Sequence, residues 1–229
     1  NFLVPMAVGA HVYLLGKVPS PKILLKAFEE VKPNLILTVP LILEKIYKKM
    51  ILPQLSKTTM KVALNIPLLD SRIYAQIRKK LVDAFGGRFR EVIVGGAAMN
   101  EEVTNFLYKI KFPFTIGYGM TECGPLISYD HNDEYVPGSC GQILKGIMKV
   151  RIDSEDPYNK VGEIQVSGEN VMKGYYKNEE ATSKVFTEDG WLRTGDLGTI
   201  DADNRIYIRG RSKTMILGAS GQNIYPEEI

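Results

Sequence analysis

The chain has 229 residues, 45% of them hydrophobic, enough to bury the core of one large domain or two small ones. Charged residues make up 24% and nearly cancel to +3, which excludes the broad basic field of a nucleic-acid-binding protein. Cys123 and Cys140 match neither a zinc knuckle nor a C-x-x-C redox pair and point to a reduced, cytoplasmic compartment.

The first apolar run, residues 2–15, is broken by Pro5, Gly9 and His11 and falls short of the roughly 20 residues of a membrane span, so it is expected as buried core. It has neither the basic start nor the cleavage site of a signal peptide, and with Asn1 at its head the chain is expected to be a fragment. Ser20 and Pro21 then read as N-cap and first residue of a helix with Ile23, Leu24, Ala27, Phe28 and Val31 on one face, stopped by Lys32-Pro33-Asn34. Residues 35–39 read as a strand and 41–50 as a helix after Pro40. In 71–85, Ile73, Ile77, Leu81 and Phe85 recur every fourth residue, with Gly86-Gly87 placed to end the helix.

A buried strand at 91–94 precedes a helix capped by Asn100 that turns Val103, Phe106, Leu107 and Ile110 inward, and 113–116 reads as the next strand. This alternation predicts a parallel sheet. Beyond about Tyr129, short strands at 147–152, 161–167, 198–201 and 205–209 predict a β-rich subdomain. No internal repeat or low-complexity linker interrupts the chain.

Chemistry-bearing residues cluster in a few segments. In Gly117-Tyr118-Gly119-Met120-Thr121-Glu122 the glycines allow close backbone approach, Tyr118 can stack on a base, Thr121 can donate to a phosphate and Glu122 can hold magnesium. The bland alternative is a strand-ending turn with a core tyrosine. In Gly190-Trp191-Leu192-Arg193-Thr194-Gly195-Asp196, Asp196 follows a glycine and is expected on a turn rather than inside a strand. There it can accept hydrogen bonds from both hydroxyls of a ribose, or simply close an Asx turn. Gly210-Arg211-Ser212-Lys213-Thr214 offers two cations for phosphate or ribose, or a solvated turn. Gly95-Gly96-Ala97-Ala98 suits a flat ligand at the carboxyl edge of a parallel sheet, or tight helix-strand packing. His11 and His131 have no ligand-spaced partners and are expected as a packed and a surface histidine. No Ser-His-Asp order or G-x-S-x-G elbow supplies a hydrolase nucleophile.

The ordered set V-G-G-A-A-M from Val94, G-Y-G-M-T-E from Gly117, G-E-I-Q-V-S-G-E-N-V-M-K-G-Y-Y-K-N from Gly162, G-W-L-R-T-G-D from Gly190, R-I-Y-I-R-G-R-S-K from Arg205 and S-G-Q-N-I-Y-P-E-E-I from Ser220 resembles the adenylate-forming superfamily of acyl-CoA synthetases, luciferases and nonribosomal peptide adenylation domains. The resemblance implies a fragment of the acyl-CoA synthetase fold: an α/β, parallel-type subdomain over 1–129, a β-rich, distorted barrel-like subdomain over 130–210, and a hinge with the start of a C-terminal domain over 211–229. It implies that a carboxylate attacks the α-phosphate of ATP, with magnesium, to give acyl-AMP, and that the thiol of CoA then displaces AMP. Tyr118 would stack on adenine beside Gly96 and Ala97, Thr121 would contact the α-phosphate and Glu122 would coordinate magnesium. Asp196 would hold the ribose with help from Arg211, Lys213 would be the hinge, and Gly221 would line the CoA tunnel.

The family's Pro-Lys-Gly phosphate loop and its lysine-bearing C-terminal stretch do not occur in the sequence, so the resemblance implies an active parent and an inactive fragment. S-P-K-I-L-L-K-A-F-E-E-V-K-P-N, V-P-L-I-L-E-K-I-Y and L-G-A-S-G-Q-N-I-Y-P-E-E-I look most like long-chain members, which implies a fatty-acid–CoA ligase of the cytoplasm, with peripheral membrane contact left open through its substrate. An acyl-AMP ligase loading a carrier protein and a non-catalytic nucleotide-binding homologue are the alternatives.

Overall fold

The structure, a computed structural model, describes residues 3–16, 20–67 and 69–212 and the short antiparallel strand pair Ile216–Leu217 and Asn223–Ile224. Helix α1, Leu3–Ala7, opens it. The expected burial of this region does not occur. Met6, Val8, Tyr13, Leu14 and Leu15 are exposed, and His11, expected as packed, is exposed and stacks on Tyr13 with ring centroids 4.5 Å apart. Apolar composition reports a surface that would gain from cover, and among the described residues no element supplies that cover.

Helix α2, Pro21–Val31, forms as its cap predicts: Ser20 Oγ accepts from Ile23 N–H at 3.3 Å, and Lys32 leaves the helix at φ 49°. Strand β1, Leu35–Thr38, leads to α3, Pro40–Ile46. The expected single helix widens into a π-helical turn, Tyr47–Ile51, with Leu52 N–H reaching back to Tyr47 O, before α4, Leu52–Leu55. Pro53 has no N–H to give residue 49, so the ladder changes register just before it. Helix α5, Thr58–Leu64, and α6, Leu69–Ala84, follow. Gly86 ends α6 at φ +94°, where a Cβ would lie 2.5 Å from Phe28 O, so only glycine lets α2 and the end of α6 pack this closely.

Strand β2, Glu91–Val94, helix α7, Glu101–Lys109, and strand β3, Phe114–Ile116, complete a parallel sheet in the order β1-β2-β3, with Ile36 beside Val92 and Val92 beside Phe114. Asn100 caps α7, its Oδ1 accepting from Val103 N–H at 3.2 Å. Phe85, Val92, Val94, Val103, Leu107 and Phe114 form the centre of this core, each burial worth about 1.5–3 kcal/mol.

The chain then crosses into antiparallel structure. Strand β4, Tyr118–Gly119, pairs with β5, Leu126–Ser128, around a 3-10 turn at Thr121–Cys123. Strands β6, Met148–Asp153, β7, Gly162–Gly168, β8, Leu192–Ile200, and β9, Ile206–Arg211, form a sheet in that order, with helix α8, Glu179–Val185, between β7 and β8. A second core gathers Cys123, Ile127, Ile164, Val166, Leu192 and Ile206. Asp196, expected on a turn, lies inside β8 opposite Arg211. Gly195 takes φ +72°, and between the pairs Glu163–Leu197 and Gln165–Arg193 three residues of β8, Thr194, Gly195 and Asp196, stand opposite Ile164 alone of β7, so β8 bulges there and re-aims Asp196 without ending. Among the described residues no helix is long and apolar enough to cross a membrane.

Candidate active site

The parallel strands end together. Gly95 N–H donates to Thr38 O at 3.1 Å and Gly117 N–H donates to Val94 O at 2.9 Å, which brings the loops after β2 and β3 side by side at the carboxyl edge. A cavity of about 1110 Å³ opens there, bounded on the far side by β8 and β9. Gly96, Tyr118, Thr121, Glu122, Asp196 and Arg211 all line it, although they come from four separate stretches of sequence. Ala97 is exposed beside Gly96 and does not line the cavity. Lys213 and Gly221 lie outside the described residues. Gly96 sits at φ +87° with open space where a Cβ would project, so main chain alone forms the cavity wall there.

The Glu122 turn is tightly made. Met120 N–H donates to Pro125 O at 2.8 Å, and a Cβ on Gly119 would stand 2.0 Å from that same oxygen, so the hairpin closes only around glycine. Asn170 Nδ2 donates to Cys123 O at 2.7 Å and Leu126 O at 2.9 Å, pinning the loop from the β7 side. Tyr175 donates its hydroxyl to Glu122 Oε1 at 2.8 Å, and the Glu122 carbonyl accepts from Met172 N–H at 2.7 Å. Burial, with the nearby Glu122 charge, pushes the Cys123 thiol up to about 11.

Across the cavity, Tyr118 donates its hydroxyl to Asp196 Oδ2 at 2.8 Å, and Arg211 Nε lies 3.1 Å from Asp196 Oδ1. Asp196 N–H donates to Thr194 Oγ1 at 3.1 Å, and that hydroxyl donates to Ile164 O at 2.7 Å. Glu163 Oε1 accepts from Gly195 N–H at 3.2 Å while its Oε2 pairs with Arg193 at 3.1 Å. The bulge at Gly195 is thus held on both sides. Burial raises the Asp196 carboxyl above its ordinary range, against the opposing pull of the Tyr118 hydrogen bond and the Arg211 charge. The Tyr118 hydroxyl is raised far more, by burial and then by the Asp196 charge, so it stays a donor at neutral pH.

Sequence reasoning gave no role to Tyr175, Thr194 or Glu163, which line the same cavity. Tyr175 stood inside a recognised motif, but its partner lies 53 residues away. Among the described residues no group of three or more His, Cys, Asp and Glu side chains is placed to hold a metal alone.

The family model for AMP-binding enzymes matches residues 1–176. The chain belongs to the AMP-binding enzyme family. Among its relatives, the long-chain-fatty-acid–CoA ligase 1 of Saccharomyces cerevisiae is 29% identical over 218 residues, covering 88% of this chain and 31% of that protein. The 4-coumarate-CoA ligase 1 of Narcissus pseudonarcissus is 35% identical over 176 residues, covering 71% of this chain and 32% of that protein. The chain therefore spans about a third of the length of the curated relatives it matches. The ATP-bound MatB structure from Rhodopseudomonas palustris superposes with a TM-score of 0.72 at 26% identity over 99% of this chain and 39% of that one. The O-succinylbenzoate coenzyme A synthetase of Bacillus subtilis, in complex with ATP and magnesium, shares the fold with a TM-score of 0.72 at 24% identity, over 99% of this chain and 41% of that one. The expected α/β fold of the adenylate-forming synthetases is borne out.

Proposed function

We propose that this chain is the nucleotide-binding part of an AMP-forming acid–thiol ligase, which activates a carboxylic acid with ATP and passes the acyl group to CoA. The observation that carries the reading is the pairing, across one cavity, of the Tyr118–Asp196–Arg211 chain with the Glu122 carboxylate. Asp196 offers two oxygens to a ribose diol, the Arg211 charge opposes the rise that burial imposes on that carboxyl, and Tyr118 borders the base beside Gly96. Thr121, exposed on the turn, donates to the α-phosphate.

Magnesium keeps most of its waters and takes one or two carboxylates together with substrate phosphates, and Glu122, the carboxylate on the hairpin side of this cavity, fits that donor set. Bound there with the phosphates, the ion would neutralise the charge that develops at phosphorus. Lys213 serves in this reading as the hinge to a C-terminal domain, Gly221 as part of the CoA tunnel, and 1–129, 130–210 and 211–229 as the three units of the chain. The enzyme belongs in the cytoplasm.

The acid we propose is a long-chain fatty acid. The support is the yeast relative, whose match covers 88% of this chain, while the higher identity of the coumarate ligase over a shorter span favours an aryl acid as the second reading. Acid-dependent ATP–pyrophosphate exchange by the full-length protein decides between them. Palmitate should exceed acetate by a factor set by about 0.8 kcal/mol per buried methylene. Preference for 4-coumarate would establish the second reading, and equal rates with acetate would overturn the fatty-acid one.

A further inference from the structure

We propose that Tyr175 is a positioning residue for Glu122, and that the segment from Met172 to Tyr175 sets how tightly the site takes a divalent cation. The inference rests on the reading of Glu122 given above.

Glu122 sits on a three-residue turn, and such a side chain would ordinarily sample several rotamers. Here the turn is tied to a distant strand end at two points. Met172 N–H donates to the Glu122 carbonyl at 2.7 Å, and the Tyr175 hydroxyl donates to Glu122 Oε1 at 2.8 Å. Main chain and carboxylate are therefore fixed by the same four-residue segment. With Oε1 occupied by a phenol, the carboxylate presents Oε2 as its remaining face, the arrangement by which an outer hydrogen bond orients a metal ligand.

The segment has its own anchor in α8. Tyr175 N–H donates to Thr182 Oγ1 at 2.9 Å, and Thr182 donates that hydroxyl to Asn178 O at 2.8 Å. Gly174 makes the approach possible: it lies at φ +149°, and a Cβ there would meet Thr182 Cγ2 at 2.8 Å. The chain of support runs from α8 through Thr182 to Tyr175 and so to Glu122. Two functions fall to one loop, because the same segment that closes β7 toward α8 also aims the carboxylate.

The test uses the full-length protein with ATP present and Mn2+ as the probe cation, its free fraction read by electron paramagnetic resonance. Tyr175→Phe removes only the hydroxyl and should weaken Mn2+ binding about tenfold, while AMP affinity measured without metal moves less than twofold. Thr182→Val should shift Mn2+ binding in the same direction by less. Mn2+ affinity within twofold of wild type in Tyr175→Phe, in a background where Glu122→Gln does lose Mn2+, would overturn the inference and leave Glu122 in its role. Unchanged Mn2+ binding in Glu122→Gln would overturn both. Parallel weakening of AMP and Mn2+ binding with a lowered Tm would show Tyr175 to be structural and also overturn it.

Discussion

At the carboxyl edge of the parallel sheet the cavity is walled by main chain, through Gly95, Gly96 and Gly117, whereas across it β8 and β9 contribute Asp196 and Arg211. The two sides are fixed by different physics. On the parallel side, hydrogen bonds between strand ends and hydrophobic packing set the position of backbone that carries no charge. On the antiparallel side, a bulge at Gly195 turns a carboxylate toward the cavity and a network of Tyr118, Thr194 and Glu163 holds it there. The hairpin of Gly117 to Leu126 joins the two, because it leaves the parallel sheet and ends in the second core. Errors on one side should therefore appear as lost stability, and errors on the other as lost chemistry.

The largest effect is expected at Glu122, which belongs to the hairpin but acts by charge. Glu122→Gln in the full-length protein should lower acid-dependent pyrophosphate exchange about a hundredfold or more, since a neutral amide no longer balances charge at the phosphates. An unchanged rate at limiting magnesium would remove Glu122 from the reaction.

Glycine substitutions sharpen the backbone side of the comparison. Gly119→Ala forces a Cβ to within 2.0 Å of Pro125 O and should cost about 3 kcal/mol in chemical denaturation. Gly96→Ala meets open space and carries only the strain of its positive φ, so its cost should be about 1 kcal/mol. Equal losses for the two would mean that steric closure of the hairpin does not govern that region.

The smallest effect, and the one with an unusual sign, concerns Asp196. Its carboxyl is raised in the folded chain, mainly by burial, so the protonated form is the one folding favours. The contribution to stability is full below the ordinary carboxylate value and is lost as pH rises through the folded value. At neutral pH the ionised group is a net cost. Asp196→Asn should leave Tm at pH 7 unchanged or slightly raised, with wild type gaining on the variant as pH falls toward the carboxylate range. A clear fall in Tm at pH 7 would show that the hydrogen bonds outweigh the desolvation.

Local signals were read well from sequence. Ser20 and Asn100 cap the helices they were expected to cap, Gly86 ends α6, and the alternation of elements gives a parallel sheet, because each depends on residues within a turn or two of one another. The strand from Leu192 through Asp196 was misread, since a glycine in sequence does not distinguish a turn from a bulge inside a paired strand. The exposed run from Met6 to Leu15 was misread because periodicity and composition do not say what lies above a surface. Tyr175 escaped notice for a third reason: its meaning lies wholly in a partner 53 residues away, and no local rule reports such a contact.

The central claim is that Tyr118, Asp196 and Arg211 form the nucleoside half of the cavity. Isothermal titration of AMP into the full-length protein and its Asp196→Ala variant tests it most directly. Loss of two charge-assisted hydrogen bonds, at about 1.5–3 kcal/mol each, predicts at least about a hundredfold weaker binding. AMP affinity equal to wild type in a variant with normal thermal unfolding would contradict the account.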